Sequence, residues 1–313
     1  MRINAYILAA DPAWIEASVL SYYDMVNKIV VSYDDSSTSW TGTPIPVEEC
    51  LSRLGAIDRD KKMIYSPGHY ARLDHHPMEN DTYQRQCALD EAGKDADWVL
   101  QLDTDEVLMS PSVFGSCLGE ADLEDFQAVL YPARWIYQRA GPDKFLEACD
   151  RIWRVRADFP GPVAVRSGVR LKHARQCEAR TFRADYSLKS KTPVPTGDPK
   201  VHRAVAPAEA IAHFSWVRSE EEMRRKTAAW GHSNDRDWSG PIETWLAAAR
   251  HPRLCAAMAP FSRSGGRFRL VHLAPMPGTE HGALRSSRAA RQPAGAIGGG
   301  PLDPPVAGAR GEL

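Results

Sequence analysis

Residues 96–106 read Ala-Asp-Trp-Val-Leu-Gln-Leu-Asp-Thr-Asp-Glu. The mostly apolar run from Trp98 to Leu102 has the composition of a buried strand, and it ends on three carboxylates within four positions. In an extended chain alternate side chains share a face, so Asp103 and Asp105 are expected to point one way and Thr104 the other. Two carboxylates in one cleft repel unless a cation lies near them, and carboxylate oxygens suit Mg²⁺ or Mn²⁺. A solvated turn, with Asp103 or Glu106 capping a backbone group, is the plainer account of the same string.

The chain before this run repeats a strand–helix–strand rhythm. Residues 4–9 read as a buried strand ending near Ala9, Asp11 is placed to cap the next helix, and Pro12 sits where a missing N–H costs nothing. Trp14, Ile15, Ser18, Val19 and Tyr22 follow at helical spacing, and residues 28–33 form a second strand that ends on Asp34-Asp35-Ser36-Ser37. Such units build a parallel sheet with helices on its faces, and ligands bind outside the carboxyl ends of the strands. Asp34 and Asp35 are therefore candidates to accept hydrogen bonds from a ribose or a base, with Asx turns as the alternative.

Further elements are expected at 46–54 (helix), 62–65 (strand), 80–92 (helix, with Tyr83, Cys87 and Asp90 on one line) and 126–131 (strand). Residues 134–159 interleave aromatics with arginines. Trp135, Tyr137 and Trp153 are read either as a sugar-stacking acceptor platform or as an aromatic core with arginines reaching outward. Ser219 and Glu222 have capping-box spacing for a helix running to Trp230, and residues 242–250 read as a shorter helix. Residues 1–278 are expected to form one domain, with a regular half near 1–130 and a less regular half near 131–278. From residue 279 the chain is dominated by Ala, Gly, Pro, Ser and Arg, so 279–313 is expected to be a disordered tail.

With 313 residues, 43% hydrophobic and 25% charged, the chain has the balance of a globular α/β protein. A formal charge of −1 gives no support for a general polyanion or nucleic-acid binder, while leaving local basic clusters open. No apolar run reaches the 18 or more residues that span a bilayer, and the N-terminus lacks the features of a signal peptide. The six cysteines are spread without a C-x-x-C pair, as reduced thiols of a cytoplasmic protein would be; peripheral attachment to a membrane is left open.

The opening strand with its helix, the strand ending in Y-D-D-S-S, and W-V-L-Q-L-D-T-D-E about seventy residues on together resemble a GT-A fold glycosyltransferase of the bacterial family 2 type. The likeness covers roughly residues 1–130, with a weaker echo through 235, and implies a catalytic domain over 1–278 with a nucleotide-sugar half near 1–130 and an acceptor half near 131–278. It implies an α/β fold with a Rossmann-like, mixed but mostly parallel sheet flanked by helices. By this resemblance Tyr6, Leu8, Ala9, Ala10, Asp34 and Asp35 flank the nucleotide of a sugar donor, UDP-sugar by default. Asp103 and Asp105 hold Mn²⁺ or Mg²⁺ against the donor diphosphate, and Glu106 extends the motif. A later histidine commonly completes the metal site: His213 is the first choice, His232 the second and His173 the weakest. Arg72, or any of Arg224, Arg225 and Lys226, is placed to approach the phosphates. The family's acceptor-side Glu-Asp motif has no clear counterpart; Glu178 and Asp185 lie at plausible distances for a catalytic base. The acceptor, whether carbohydrate, lipid-linked or a small molecule, is not legible.

A nucleotidyltransferase is the alternative, although residues 9–13 (A-A-D-P-A) offer no glycine-rich, basic phosphate loop. A nucleotide-sugar binder without catalysis, and a metal-dependent hydrolase built on Asp74, His75 and His76, are the remaining readings.

Overall fold

The computed structural model describes residues 1–195, 200–233, 235, 237–262 and 266–273. The expected tail at 279–313 lies outside them.

The N-terminal rhythm folds as its pattern demands. Strands β1 (Ile3–Leu8), β2 (Ile29–Asp34) and β3 (Met63–Gly68) pair in parallel, with helices α1 (Ile15–Tyr22) and α2 (Val47–Ile57) returning the chain. Helix α3 (Pro77–Ala92) leads to β4 (Trp98–Leu100), which pairs with the other side of β1. Alternation then divides the side chains. Ile7, Val31 and Leu100 face α1 and α2, whereas Tyr6, Val30 and Val99 face Ala88, Leu89 and Ala92 of α3. Burial on both faces explains why these strands are apolar almost throughout.

After β4 the chain leaves this sheet. Strand β5 (Glu106–Leu108) belongs to a second sheet, α4 (Pro111–Leu123) returns, and β6 (Ala128–Leu130) rejoins the first. Strands β7 (Ala133–Arg139) and β8 (Lys144–Ala148) form an antiparallel pair, followed by β9 (Ala164–Arg166), the small hairpin β10 (Leu171–His173) and β11 (Gln176–Cys177), β12 (Thr181–Asp185), β13 (Arg203–Ala204) and β14 (Ile211–His213). Three helices, α5 (Glu220–Ala229), α6 (Ser239–Arg250) and α7 (Pro252–Ala257), precede β15 (Phe268–His272). The large sheet runs β13-β12-β6-β9-β4-β1-β2-β3, with only β9 antiparallel to its neighbours; the second runs β15-β8-β7-β14-β5. This is an α/β protein with a mixed, mostly parallel sheet flanked by helices. The Ser219–Glu222 capping box forms as spaced and starts α5.

Three local expectations are corrected. Residues 103–105 are a turn, not a strand end, because the chain crosses between the two sheets there. The Glu106 amide donates to the Asp103 carbonyl, and the Asp103 amide to the Glu106 carboxylate, 3.0 Å each. In α3 the buried face is polar, carrying Asn80, Asp81, Gln84 and Arg85, while Tyr83 lies outward. An apolar-periodicity reading picks the wrong face of such a helix. The acceptor platform does not assemble either. Tyr137 is a core ring stacked on Trp216 and Phe268, and Trp153 sits apart on α7, its indole donating to the Ala256 carbonyl. Arg134, next to Trp135 in the chain, is buried against Glu147.

Candidate functional site

A cavity of about 310 Å³ opens at the carboxyl ends of β1, β2 and β4. Residues 8–11, Tyr33, Asp34 and residues 38–40 form one wall, the 103–105 turn the floor, and α5 with residues 229–232 the opposite wall. The edge at which parallel strands end toward their helices collects these loops, as in other open α/β sheets.

Every carboxylate of the 103–106 turn meets a cation. Asp103 binds Arg85 at 2.8 Å, and Arg85 also holds Asp81 at 2.6 Å, one turn earlier on α3. Glu106 is fully buried and takes two hydrogen bonds from Arg175, at 2.5 and 2.6 Å. Arg175 passes beside Gly161, whose φ is +147°; a Cβ there would stand 2.8 Å from the arginine's Cγ, so the glycine makes the room. Asp105 is the most heavily engaged. Its Oδ2 accepts from Arg218 (2.8 Å) and Lys226 (2.6 Å), and its Oδ1 lies 3.2 Å from His213 Nε2.

The titration behaviour follows from this crowding. Burial works against charge on Asp105, but Lys226, His213 and Arg218 outweigh it and hold the carboxyl well below its usual range. Burial and the neighbouring Arg218 depress Lys226, against the pull of Asp105 and Asp11. For His213, burial opposes the charged form, yet the hydrogen bond and attraction of Asp105, with Glu106 behind it, raise its pKa.

Two ligands of a small cation, each about 2.1 Å away and at a right angle, lie about 3 Å apart. Asp105 Oδ1 and His213 Nε2 have that separation, so this pair fits Mn²⁺ or Mg²⁺, and Lys226 with Arg218 fixes the carboxylate from its other oxygen. Asp103 stays on Arg85 and does not gather with them; its contribution would pass through a water. Among the described residues, the group of three whose ligand atoms come within 4.8 Å of one another is Asp34, Asp35 and His69. There Asp35 and His69 are exposed, and Asp34 already accepts five hydrogen bonds: from the Ser36 amide and hydroxyl and the Thr38 amide on one oxygen, and from the Tyr70 and Ala71 amides on the other. That exceeds the roughly four lone-pair sites of a carboxylate. Burial notwithstanding, those bonds lower the Asp34 pKa.

The other sequence candidates separate. Leu8, Ala9, Ala10 and Asp34 line the cavity, with Asp34 acting as a clasp for two loops. Asp35 lies outside it, near His69. Tyr6 does not reach the cavity: it shares a face of β1 with Leu8 but lies two residues short of the strand end, under α3, where its hydroxyl donates to Gln101. Arg72 is stacked on Tyr83 and bonded to Asn80, away from the cavity. Glu178 is exposed and paired with Lys172; Asp185 is buried against Arg183. Neither faces the cavity, so neither is placed as a base. His232 stands at the rim, bonded to Asp235, and His173 is on the far side of α3, beside Thr82 and Gln86. His76 caps α3, and its exposed neighbour His75 pairs with Asp74.

Sequence reading missed Arg85, Arg175 and Arg218, each distant from the motif in the chain. Of three donors on the cavity wall it named Arg225 and missed Arg85 and Trp230. Arg85 Nη1 and Trp230 Nε1 are buried without a hydrogen-bond partner, and Arg225 makes no side-chain hydrogen bond or ion pair among the described residues. Unsatisfied buried donors are few in native proteins and call for a ligand or water.

No known family profile matches the chain, and no curated protein does. Solved structures with partial likeness include a 4-diphosphocytidyl-2C-methyl-D-erythritol synthase from Anaerococcus prevotii (14% identity, 53% of this chain and 71% of that one, TM-score 0.32). A mannose-6-phosphate isomerase from Helicobacter pylori is similar at 9% identity, over 54% of this chain and 72% of that one, also with TM-score 0.32. Likenesses at this level carry no argument about what this protein does. No helix among the described residues is long and apolar enough to cross a membrane.

Proposed function

We propose that the chain binds a nucleotide-activated sugar in this cavity and transfers the sugar to an acceptor, as a GT-A fold glycosyltransferase of the family 2 type does. The supporting observation is the set of unpartnered donors, Arg225, Arg85 Nη1 and Trp230 Nε1, lining the same cavity as the 103–105 turn. Such a wall suits a diphosphate. Negative charge grows on the leaving diphosphate as the glycosidic bond breaks, and fixed donors stabilise it most where it grows. Asp105 Oδ1 and His213 Nε2 would hold Mn²⁺ or Mg²⁺, which when bound supplies Lewis-acid stabilisation of the phosphate oxygens. Lys226 and Arg218 keep Asp105 oriented for that task. The wall of residues 8–11 with Tyr33 would take the nucleoside, UDP being the default. Nucleotidyl transfer remains the second reading, because the same donors would hold a nucleoside triphosphate.

A substrate panel with Mn²⁺ tests this: UDP-, GDP- and dTDP-sugars on one side, nucleoside triphosphates with sugar phosphates on the other. Release of nucleoside diphosphate supports sugar transfer. Release of pyrophosphate moves the assignment to nucleotidyl transfer, and tight binding without turnover makes the chain a binder. Failure to bind any of them removes the proposal.

A further inference from the structure

Away from the cavity, exposed apolar side chains are unevenly placed. Six of the thirteen large ones among the described residues fall in two short stretches: Ile152 and Trp153, then Leu254, Met258, Phe261 and Leu270. Leu254, Met258 and Phe261 recur at intervals of four and three, so they share one side of α7 and the turn that continues it. The two stretches are joined, because Trp153 Nε1 donates to the Ala256 carbonyl at 3.1 Å and Arg269 donates to the Trp153 carbonyl at 3.3 Å. Trp153 also has φ +60°, a left-handed conformation uncommon for a bulky residue. The turn that imposes it is clasped by the Asp150 carboxylate, which accepts from the Ile152 and Arg154 amides.

The charge around these side chains is predominantly positive, although Asp150 lies in the turn itself, paired with Arg154, and Glu147 pairs with Arg269. Residues 151–157 hold three arginines and no carboxylate, and residues 244–273 hold five arginines and no carboxylate, in a chain whose formal charge is −1. Arg151, Arg156, Arg250 and Arg253 are exposed and make no side-chain hydrogen bond or ion pair among the described residues. Indole and aliphatic groups beside unpaired arginines match the boundary of a bilayer, where apolar groups enter the acyl edge and cations meet anionic headgroups.

We propose that this face, formed by the 150–154 turn and α7 with the turn after it, docks onto the surface of a bilayer containing anionic lipid. The inference stands apart from the donor reading, since it uses none of the cavity residues.

The test is flotation of the full chain with vesicles of phosphatidylcholine alone or with one-third phosphatidylglycerol, at low and high salt. The expected result is binding to the anionic vesicles that weakens with salt. Two double variants, Trp153→Ser with Phe261→Ser and Arg151→Gln with Arg253→Gln, are each expected to lower it about tenfold or more. Circular dichroism and UDP binding of the variants show that they remain folded. No binding to anionic vesicles, or binding that both double variants leave intact, overturns the proposal. So does binding to single-stranded RNA without binding to vesicles, which would make the face a polyanion site.

Discussion

Asp105 Oδ1 lies 3.2 Å from His213 Nε2, across the antiparallel pairing in which His213 stands opposite Glu106 and the Phe214 amide donates to the Asp105 carbonyl. Backbone pairing of β5 with β14 therefore sets the distance between two side chains that are over a hundred positions apart. If the pair holds a divalent ion, UDP affinity should rise on adding Mn²⁺. His213→Ala should reduce that gain about tenfold or more, while His232→Ala, at the rim and on Asp235, leaves it in place. Calorimetric titration of UDP with Mn²⁺ or with chelator reads both; a larger loss from the His232 variant would move the ligand.

The same pair should give two opposite pH dependences. His213 binds its proton more tightly in the folded chain, so its stabilisation is fully present below about pH 6.5 and is lost as pH rises through the raised value. Metal binding needs the neutral ring, so Mn²⁺-dependent UDP affinity should increase over that interval. Melting temperatures in chelator across pH 5.5–8.5, and UDP titrations in Mn²⁺, are to be compared between the wild-type chain and His213→Ala. A wild-type profile parallel to the variant's would remove His213 from both effects.

Among the described residues Arg225 makes no side-chain hydrogen bond or ion pair, so its removal should affect ligand and not fold. Arg225→Gln is expected to weaken UDP binding about tenfold, the equivalent of roughly 1.4 kcal/mol, with no change in melting temperature. An unchanged dissociation constant would place the phosphates elsewhere.

Glu106 and Arg175 should behave in the reverse manner. Both are buried and mutually satisfied, so Glu106→Gln strands a buried guanidinium and should cost about 3–5 kcal/mol in urea unfolding. Gly161→Ala should also destabilise, because the added carbon meets the Arg175 stem and the backbone is held at positive φ. A Glu106→Gln chain as stable as wild type would show that Arg175 finds another partner.

Much of the frame was readable because it rests on short-range chemistry. The apolar runs of β1, β2 and β4 and the Ser219–Glu222 box depend on neighbours a few residues away, and they fold as their spacing directs. Tyr6 shows where this stops: it shares a strand face with Leu8, which lines the cavity, but lies two residues short of the strand end, and the pattern does not say where along β1 the cavity opens. Tyr83 fails for a related reason: the first half of α3 buries Asn80, Asp81, Gln84 and Arg85, and a polar buried face leaves no apolar period to follow there. Arg72, in the loop before α3, is held by Tyr83 and Asn80 of that helix. Glu178 and Asp185 were chosen by distance along the chain, which does not measure distance to the cavity in a sheet whose order departs so far from sequence order.

By itself, then, the sequence determined the strand–helix alternation, the cluster of carboxylates after β4 and the start of α5, since each follows from local composition, periodicity and capping. Only the tertiary structure decided that Arg85, Arg175, Arg218, Lys226 and His213 converge on that turn. Carboxylates are legible as charges in one dimension, but the cations that answer them come from four separated segments. What selects those cations is the shared cost of burying charge unpaired, which exists only once the two sheets have closed around the turn.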